Sequence, residues 1–191
     1  METVAESDVE SSFWRTHAQA ICGDAGMGKT LFHIVKAKRY CRRLGSDRFI
    51  MLGASIEPLG ILSHRGEMSK CGCIVVGDMD MQSLRGDLTA NHQKILFDVK
   101  NGGVIEAKRW HPIIFPAGMP RLFSLNGDVS DWLSLFGGAH DNARLRRIAI
   151  ARMKQPLPRT MKLINGFGMK HLNVAEQKTL EKAIEKNKNW W

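Results

Sequence analysis

The sequence predicts an α/β sandwich built on a mostly parallel sheet, and three observations predict it. Short apolar runs alternate with stretches of helical spacing along most of the chain. The run AQAIC (18–22) feeds straight into the glycine-rich loop GDAGMGKT (23–30) and from there into a helix. The runs CIVV (73–76) and PRLFSLNG (120–127) are compact and apolar, without the polar alternation of a strand that faces water on one side.

Taken in order, AQAIC is the first strand. TLFHIVKAKRYCRRL (30–44) is a helix with Leu31, Ile34, Val35 and Leu44 on one side and basic residues on the other, stopped by Gly45. RFIML (48–52) is the next strand candidate. Gly53 to Gly72 is a turn-rich passage with room for one short helix. CIVV ends in Gly77-Asp78, as a buried parallel strand would. A helix centred on HQKILFDV follows within 83–102 and is closed by Asn101-Gly102-Gly103, after which VIEAK (104–108) alternates like an exposed strand. PRLFSLNG is a second buried strand. The spacing predicts a helix over NARLRRIAIARM (142–153). QPLPRTMK is a proline-bearing connector, and NVAEQKTLEKAIEKNKNWW (173–191) is an amphipathic helix with charges spaced for i,i+4 pairs around Glu181 and Glu185. There is no internal repeat. The expected organisation is a short leader over 1–17, one domain over 18–155, and a connector with the amphipathic helix over 156–191.

A chain of 191 residues suffices for one well-cored domain, and its 43% apolar and 25% charged residues are ordinary for a globular protein. No apolar run approaches a membrane span and the first ten residues are acidic rather than signal-like, so the expectation is an intracellular protein, cytoplasmic or nuclear, with no membrane partner. The four cysteines fit a reducing compartment. Cys71 and Cys73 form a C-x-C with no second pair nearby, which argues against a zinc site, and Cys22 and Cys73 fall in apolar runs where a thiol acts as a small hydrophobe. The net charge of +9 points toward polyanions. It is concentrated in residues 36–43, 108–110, 144–154 and the lysine-rich C-terminus. Each run alone is also what a solvated helix face looks like. Trp110 beside Lys108 and Arg109 offers a base-stacking surface.

The loop Gly23-Asp24-Ala25-Gly26-Met27-Gly28-Lys29-Thr30 matches G-x-x-x-x-G-K-[ST] in the strand–loop–helix setting that the motif requires. Backbone N–H groups from Ala25 to Thr30 would wrap a β-phosphate at the helix N-terminus. Lys29 would reach the β- and γ-oxygens of ATP, and the Thr30 hydroxyl would ligate Mg²⁺. Such a site needs a carboxylate at the end of a neighbouring strand, and CIVVGDMDM supplies Asp78 there with Asp80 two residues on.

The order of phosphate loop, acidic strand, glycine-turned basic hairpin (DVKNGGVIEAKRWH) and apolar strand ending in Asn126 resembles the superfamily 3 helicases. It is most similar to the replication-initiator (Rep) proteins of small circular single-stranded DNA viruses and plasmids, and to the related helicases of picornavirus-like RNA viruses. The likeness spans about residues 18–153. It implies an AAA+-like P-loop NTPase, a three-layer sandwich that hydrolyses ATP with Mg²⁺ and assembles as a homo-oligomeric, hexameric ring on single-stranded DNA or RNA. By resemblance, Asp78 falls on the second of the family's paired acids. Lys100 and Lys108, either side of Asn101-Gly102-Gly103, fall in the hairpin that touches the strand, with Arg109 next to them. Asn126 falls on the sensor that orients the attacking water, and Arg146 or Arg147 on the finger that completes a neighbouring subunit's site.

Two departures stand out. Gly77 occupies the place of the first paired acid, so either Asp78 holds the metal and Asp80 polarises water, or hydrolysis is weak. Residues 1–17 are too few for the family's helical collar. A nickase is not expected either: no H-x-H occurs and the single tyrosine, Tyr40, lies in the helix after the loop. The chain looks like the motor without the nickase. The rival readings are a P-loop small-molecule kinase, with Arg144 to Arg152 as its lid, and a nucleic-acid-binding pseudo-ATPase remnant.

Overall fold

The computed structural model describes residues 13–53, 55–79, 88–106, 111–135, 146–154 and 156. The predicted helix over 173–191 lies outside them. Five strands form one sheet: β1 (Ala18–Gly23), β2 (Ile50–Leu52), β3 (Ile74–Met79), β6 (Arg121–Asn126) and β7 (Ile148–Arg152). They lie in the order β2-β3-β6-β1-β7, and every pairing is parallel. All six residues of β1 are buried, as a central strand covered on both faces must be.

Side chains alternate between the two faces and define the layers. Ile21, Val75 and Leu122 point to one face, where α1 (Lys29–Arg43) packs with Leu31, Phe32, Ile34, Val35 and Tyr40. Ala20, Cys22, Ile74, Val76, Phe123 and Leu125 point to the other. That face is covered by α2 (Pro58–His64), α3 (Ala90–Phe97), Trp132 of α4 (Val129–Leu135) and a hairpin of β4 (Gly103–Ile105) and β5 (Ile113–Phe115). Helix, sheet and helix-plus-hairpin are thus stacked as three layers. Cys22 and Cys73 are fully buried within it, as apolar-run cysteines should be.

Local chemistry accounts for most boundaries. Gly45, at φ 68°, ends α1 where the sequence places its stop. Pro58 opens α2, where its missing N–H costs nothing. The Thr89 hydroxyl caps α3 by accepting from the His92 N–H at 3.2 Å.

Two expectations change. The segment predicted as a helix over 142–153 contributes β7, paired with β1 from Ala18↔Ile148 to Cys22↔Arg152. Its Arg- and Ala-rich composition favours a helix, but the second edge of buried β1 would otherwise leave its N–H and C=O groups without partners. The Ile-Ala-Ile-Ala alternation satisfies that edge. The Asn101-Gly102-Gly103 turn is not a hairpin tip. It joins α3 to β4, and the hairpin closes through 106–112, of which 107–110 lie outside the described residues. Glycine is required at 102, where φ is 66° and a Cβ would collide with the Phe115 carbonyl. Within the span expected as a leader, Trp14 is buried and stacks on Tyr40 of α1, with ring centroids 4.5 Å apart. Neither α4 nor β5 was among the predicted elements.

Candidate functional site

The glycine-rich loop leaves the C-terminal end of β1 at Gly23 and enters α1 at Gly28. Three of its glycines hold positive φ: Gly23 at 147°, Gly26 at 75° and Gly28 at 93°. Gly28 is the N-cap of α1. No side chain caps this end and no acidic residue occupies its first turn, so the positive end of a 15-residue helix faces the loop. Asp24, Ala25 and Gly26 are exposed, Met27 and Thr30 half-buried, and Gly28 buried. Lys29 is only 4% exposed. Its ammonium donates to the carbonyls of Gly23 at 2.7 Å and Asp24 at 2.8 Å. The loop is therefore closed around its own lysine, and a phosphate would take over those contacts.

Two strands on one side of β1 bring further groups to this edge. In the β1–β6 pairing Asn126 stands beside Gly23, and Gly127 bridges to Gly23 as well. The Asn126 carbonyl accepts from the Trp132 indole at 2.8 Å. Its side-chain Oδ1 is buried without a hydrogen-bond partner, an arrangement that costs about 1–3 kcal/mol unless a donor arrives. Beyond β6, the residue of β3 that faces Thr30 is Gly77: a Cβ there would lie 3.5 Å from Thr30 Cγ2 and 3.6 Å from its Oγ1. These are ordinary contact distances, as is 3.5 Å to the Leu52 carbonyl, and Gly77 is not at positive φ, so the position has room for a Cβ. Asp78 is the next residue of β3; Asp80 lies outside the described residues.

Mg²⁺ keeps several waters and takes only one or two protein oxygens when phosphates supply the rest. The Thr30 hydroxyl at the mouth of the loop fits that limited demand. Among the described residues no group of three His, Cys, Asp or Glu side chains could hold a metal alone.

His33 was not singled out in the sequence. It lies one turn beyond Lys29, fully buried, with Nδ1 3.2 Å from the Ser124 hydroxyl of β6 and Nε2 without a partner. Burial, helped by the charge of Lys36, lowers its pKa to about 3, so the ring is neutral near pH 7. A lone histidine on an apolar helix face gives the sequence reader nothing to distinguish it from core.

The two candidate finger arginines are at the other end of the sheet. The Ala18 N–H, at the start of β1, donates to the Arg147 carbonyl at 2.8 Å. Five residues of strand at about 3.3 Å each separate this edge from the loop. Arg147 is tied within the chain: its Nε donates to Asp98 Oδ2 at 2.9 Å. Asp98 also accepts from the backbone and side chain of Asn101. Burial pushes the Asp98 carboxyl up, but these hydrogen bonds outweigh it and hold the group below its ordinary value. Nearby, Arg121 is buried and donates to the Ile95 and Leu96 carbonyls at the end of α3, with its guanidinium 4.3 Å from the Phe115 ring centroid. Burial lowers its pKa to about 9, which leaves it cationic at neutral pH. Arg146 is exposed.

Among the described residues, the cations besides Lys29 that line the loop edge are Arg152 and Lys154. With Gly23, Asp24, Met27 and Met153 they line a cleft of about 300 Å³ between the loop and the end of β7. Arg152 pairs with Asp128 at 3.6 Å. Of the predicted strand-contacting residues, Lys100 is exposed just before the Asn101-Gly102 turn, and Lys108 and Arg109 fall outside the described residues. Among the described residues no helix is long and apolar enough to cross a membrane. No protein-family model matches the chain, and no curated protein is significantly similar to it in sequence.

Proposed function

We propose that this chain is a P-loop ATPase domain of superfamily 3, Rep-like character, which binds Mg²⁺-ATP at the Gly23–Thr30 loop and moves on single-stranded DNA or RNA as a homo-oligomeric ring. The observation that carries the reading is the convergence at one sheet edge. A lysine-bearing glycine loop, Asn126 in register with Gly23, and β3 packed against Thr30 meet where a γ-phosphate and its metal would sit. In this reading Lys29 neutralises the β- and γ-oxygens, Thr30 holds Mg²⁺ and Asn126 receives a hydrogen bond from the attacking water. Asp78 and Asp80 supply the carboxylates for the metal and the water. The metal's contribution is to offset charge on the transferring phosphoryl group.

The hairpin β4–β5, with Lys108 and Arg109 in its connection and Lys100 at its root, is the surface proposed for the strand. Arg146 is the better finger candidate, because Arg147 is engaged with Asp98. What weighs against the kinase reading is that Arg152, at the end of the stretch taken as its lid, is the last residue of a sheet strand beside Cys22. A pseudo-ATPase keeps one specific observation in its favour, which is that glycine rather than a carboxylate faces Thr30.

The test is steady-state ATPase with and without single-stranded DNA and RNA. Stimulation by either strand supports the motor. Turnover indifferent to both removes it, and ATP binding without turnover selects the pseudo-ATPase.

A further inference from the structure

We propose that the nucleoside end of the bound triphosphate enters the cleft between the phosphate loop and the end of β7, with its base against the Met27 thioether over a floor of Met153 and with Arg152 and Lys154 beside its sugar and α-phosphate. The inference rests on the reading of the loop as a triphosphate site and adds the part of the ligand that the loop does not hold.

Direction is the first argument. The loop springs from β1, which has β6 and β3 on one side and β7 on the other. Thr30, Gly77 and Asn126, the groups placed for the γ-phosphate and metal, all stand on the β6–β3 side. A triphosphate is a linear chain. With its γ end toward β6 and β3 and its β-phosphate in the loop, its nucleoside leaves toward β7.

The cleft is on that side. Its volume, about 300 Å³, is at the lower end for small-ligand sites. That suits a base and its sugar with the phosphates held elsewhere. A Cβ at Gly23 would lie 3.1 Å from Met27 Sδ and 3.6 Å from Met153 Cβ, so both methionines close over the bare glycine. Met153 is buried and its N–H donates to the Cys22 carbonyl at 2.9 Å, which fixes the floor to β1. Met27 is half-buried and packs against the cluster that holds Ile21, Leu31 and Met153. Thioethers make favourable contacts with aromatic rings and conform to ligands of different shape. The charge suits as well. Lys154 is exposed, and the Arg152–Asp128 pair is open to water on both sides, so exchanging that carboxylate for a phosphate costs little.

The experiment compares Mg²⁺-ATP with Mg²⁺-tripolyphosphate on the full chain labelled at its methionine methyl groups, with Met27→Ala and Met153→Leu to assign the two signals. ATP should shift the Met27 methyl resonance by ring current, and tripolyphosphate should not. By calorimetry, Met27→Ala should lower the ratio of ATP affinity to tripolyphosphate affinity by about threefold to tenfold. Equal Met27 shifts with both ligands, or an unchanged ratio, overturns the cleft while tripolyphosphate binding keeps the loop reading intact. A parent protein that binds neither ligand overturns both.

Discussion

At the C-terminal end of the sheet Arg152 reaches Asp128 at 3.6 Å, with side chains 61% and 46% exposed. At the opposite end Arg147 meets Asp98 at 2.9 Å, with exposures of 34% and 13%. The chemistry is the same and the surroundings are not. Water screens the first pair and competes for it, so it is worth little and is easily exchanged for a ligand. The second is shielded, shares its carboxylate with Asn101, and sits beside buried Arg121; it fastens the start of β7 to the end of α3 and to the turn that launches the hairpin. One end of the sheet carries an ion pair open to exchange with water, and the other a pair held from it.

The largest expected effect tests the open end. Lys29→Ala removes the loop's point charge and its two hydrogen bonds, so triphosphate affinity should fall by about a hundredfold or more while far-UV circular dichroism is unchanged. Binding like that of the parent would deny the loop any role with phosphate.

Next comes the acidic strand of the same edge. Asp78→Asn should cut ATP turnover by orders of magnitude with ATP still bound, if Asp78 is the surviving metal-site acid. Gly77→Asp adds a carboxylate whose Cβ stands at ordinary contact distance from Thr30, so turnover should hold or rise. A parent without turnover that Gly77→Asp rescues is a motor that lost its chemistry. Turnover that survives Asp78→Asn moves the metal site to Asp80.

What the sequence disclosed follows the same division. The loop, α1, β3 and β6 were legible because their signals are local: a fixed motif, a glycine stop and unbroken apolar runs. β7 was misread because its state is set by the free edge of β1, more than a hundred residues earlier in the chain. The Arg147–Asp98 pair joins residues 49 apart, and no periodicity announces it. Gly77 could be read as a missing acid, but that it faces Thr30 depends on how β3 packs against α1. α4 is only seven residues long, too short for a helical period to stand out.

At the closed end, Arg147→Ala should lower stability by about 1–3 kcal/mol in urea titrations, since it strips a shielded carboxylate of its charged donor. The pH dependence has a definite sign. The folded-state pKa of Asp98 lies below its ordinary value, so its contribution is present above the unfolded pKa and is lost as pH falls through the folded one. His33 adds to the acid side. Its pKa drops from 6.5 to about 3 on folding, so between those values the unfolded chain takes up a proton that the folded chain refuses. Stability therefore falls as pH is lowered through that window. His33→Asn should flatten the slope there, and an unaltered slope would show that the imidazole is not held neutral.

The smallest effect belongs to the exposed pair and decides whether burial is what separates the two ends. Arg152→Ala should change stability by less than about 0.5 kcal/mol, because the lost pair is open to water and Asp128 keeps its solvation. Stabilities of Arg152→Ala and Arg147→Ala measured side by side then give the contrast directly. Arg152 should be felt through the ligand instead. A cation at the rim of the cleft attracts the phosphates through screened charge, so its loss should weaken ATP binding by about twofold to fivefold at low salt and by less as salt rises. If Arg152→Ala destabilises the fold as much as Arg147→Ala, the exposed pair is a fastener after all, and the C-terminal edge of the sheet is as closed as its opposite.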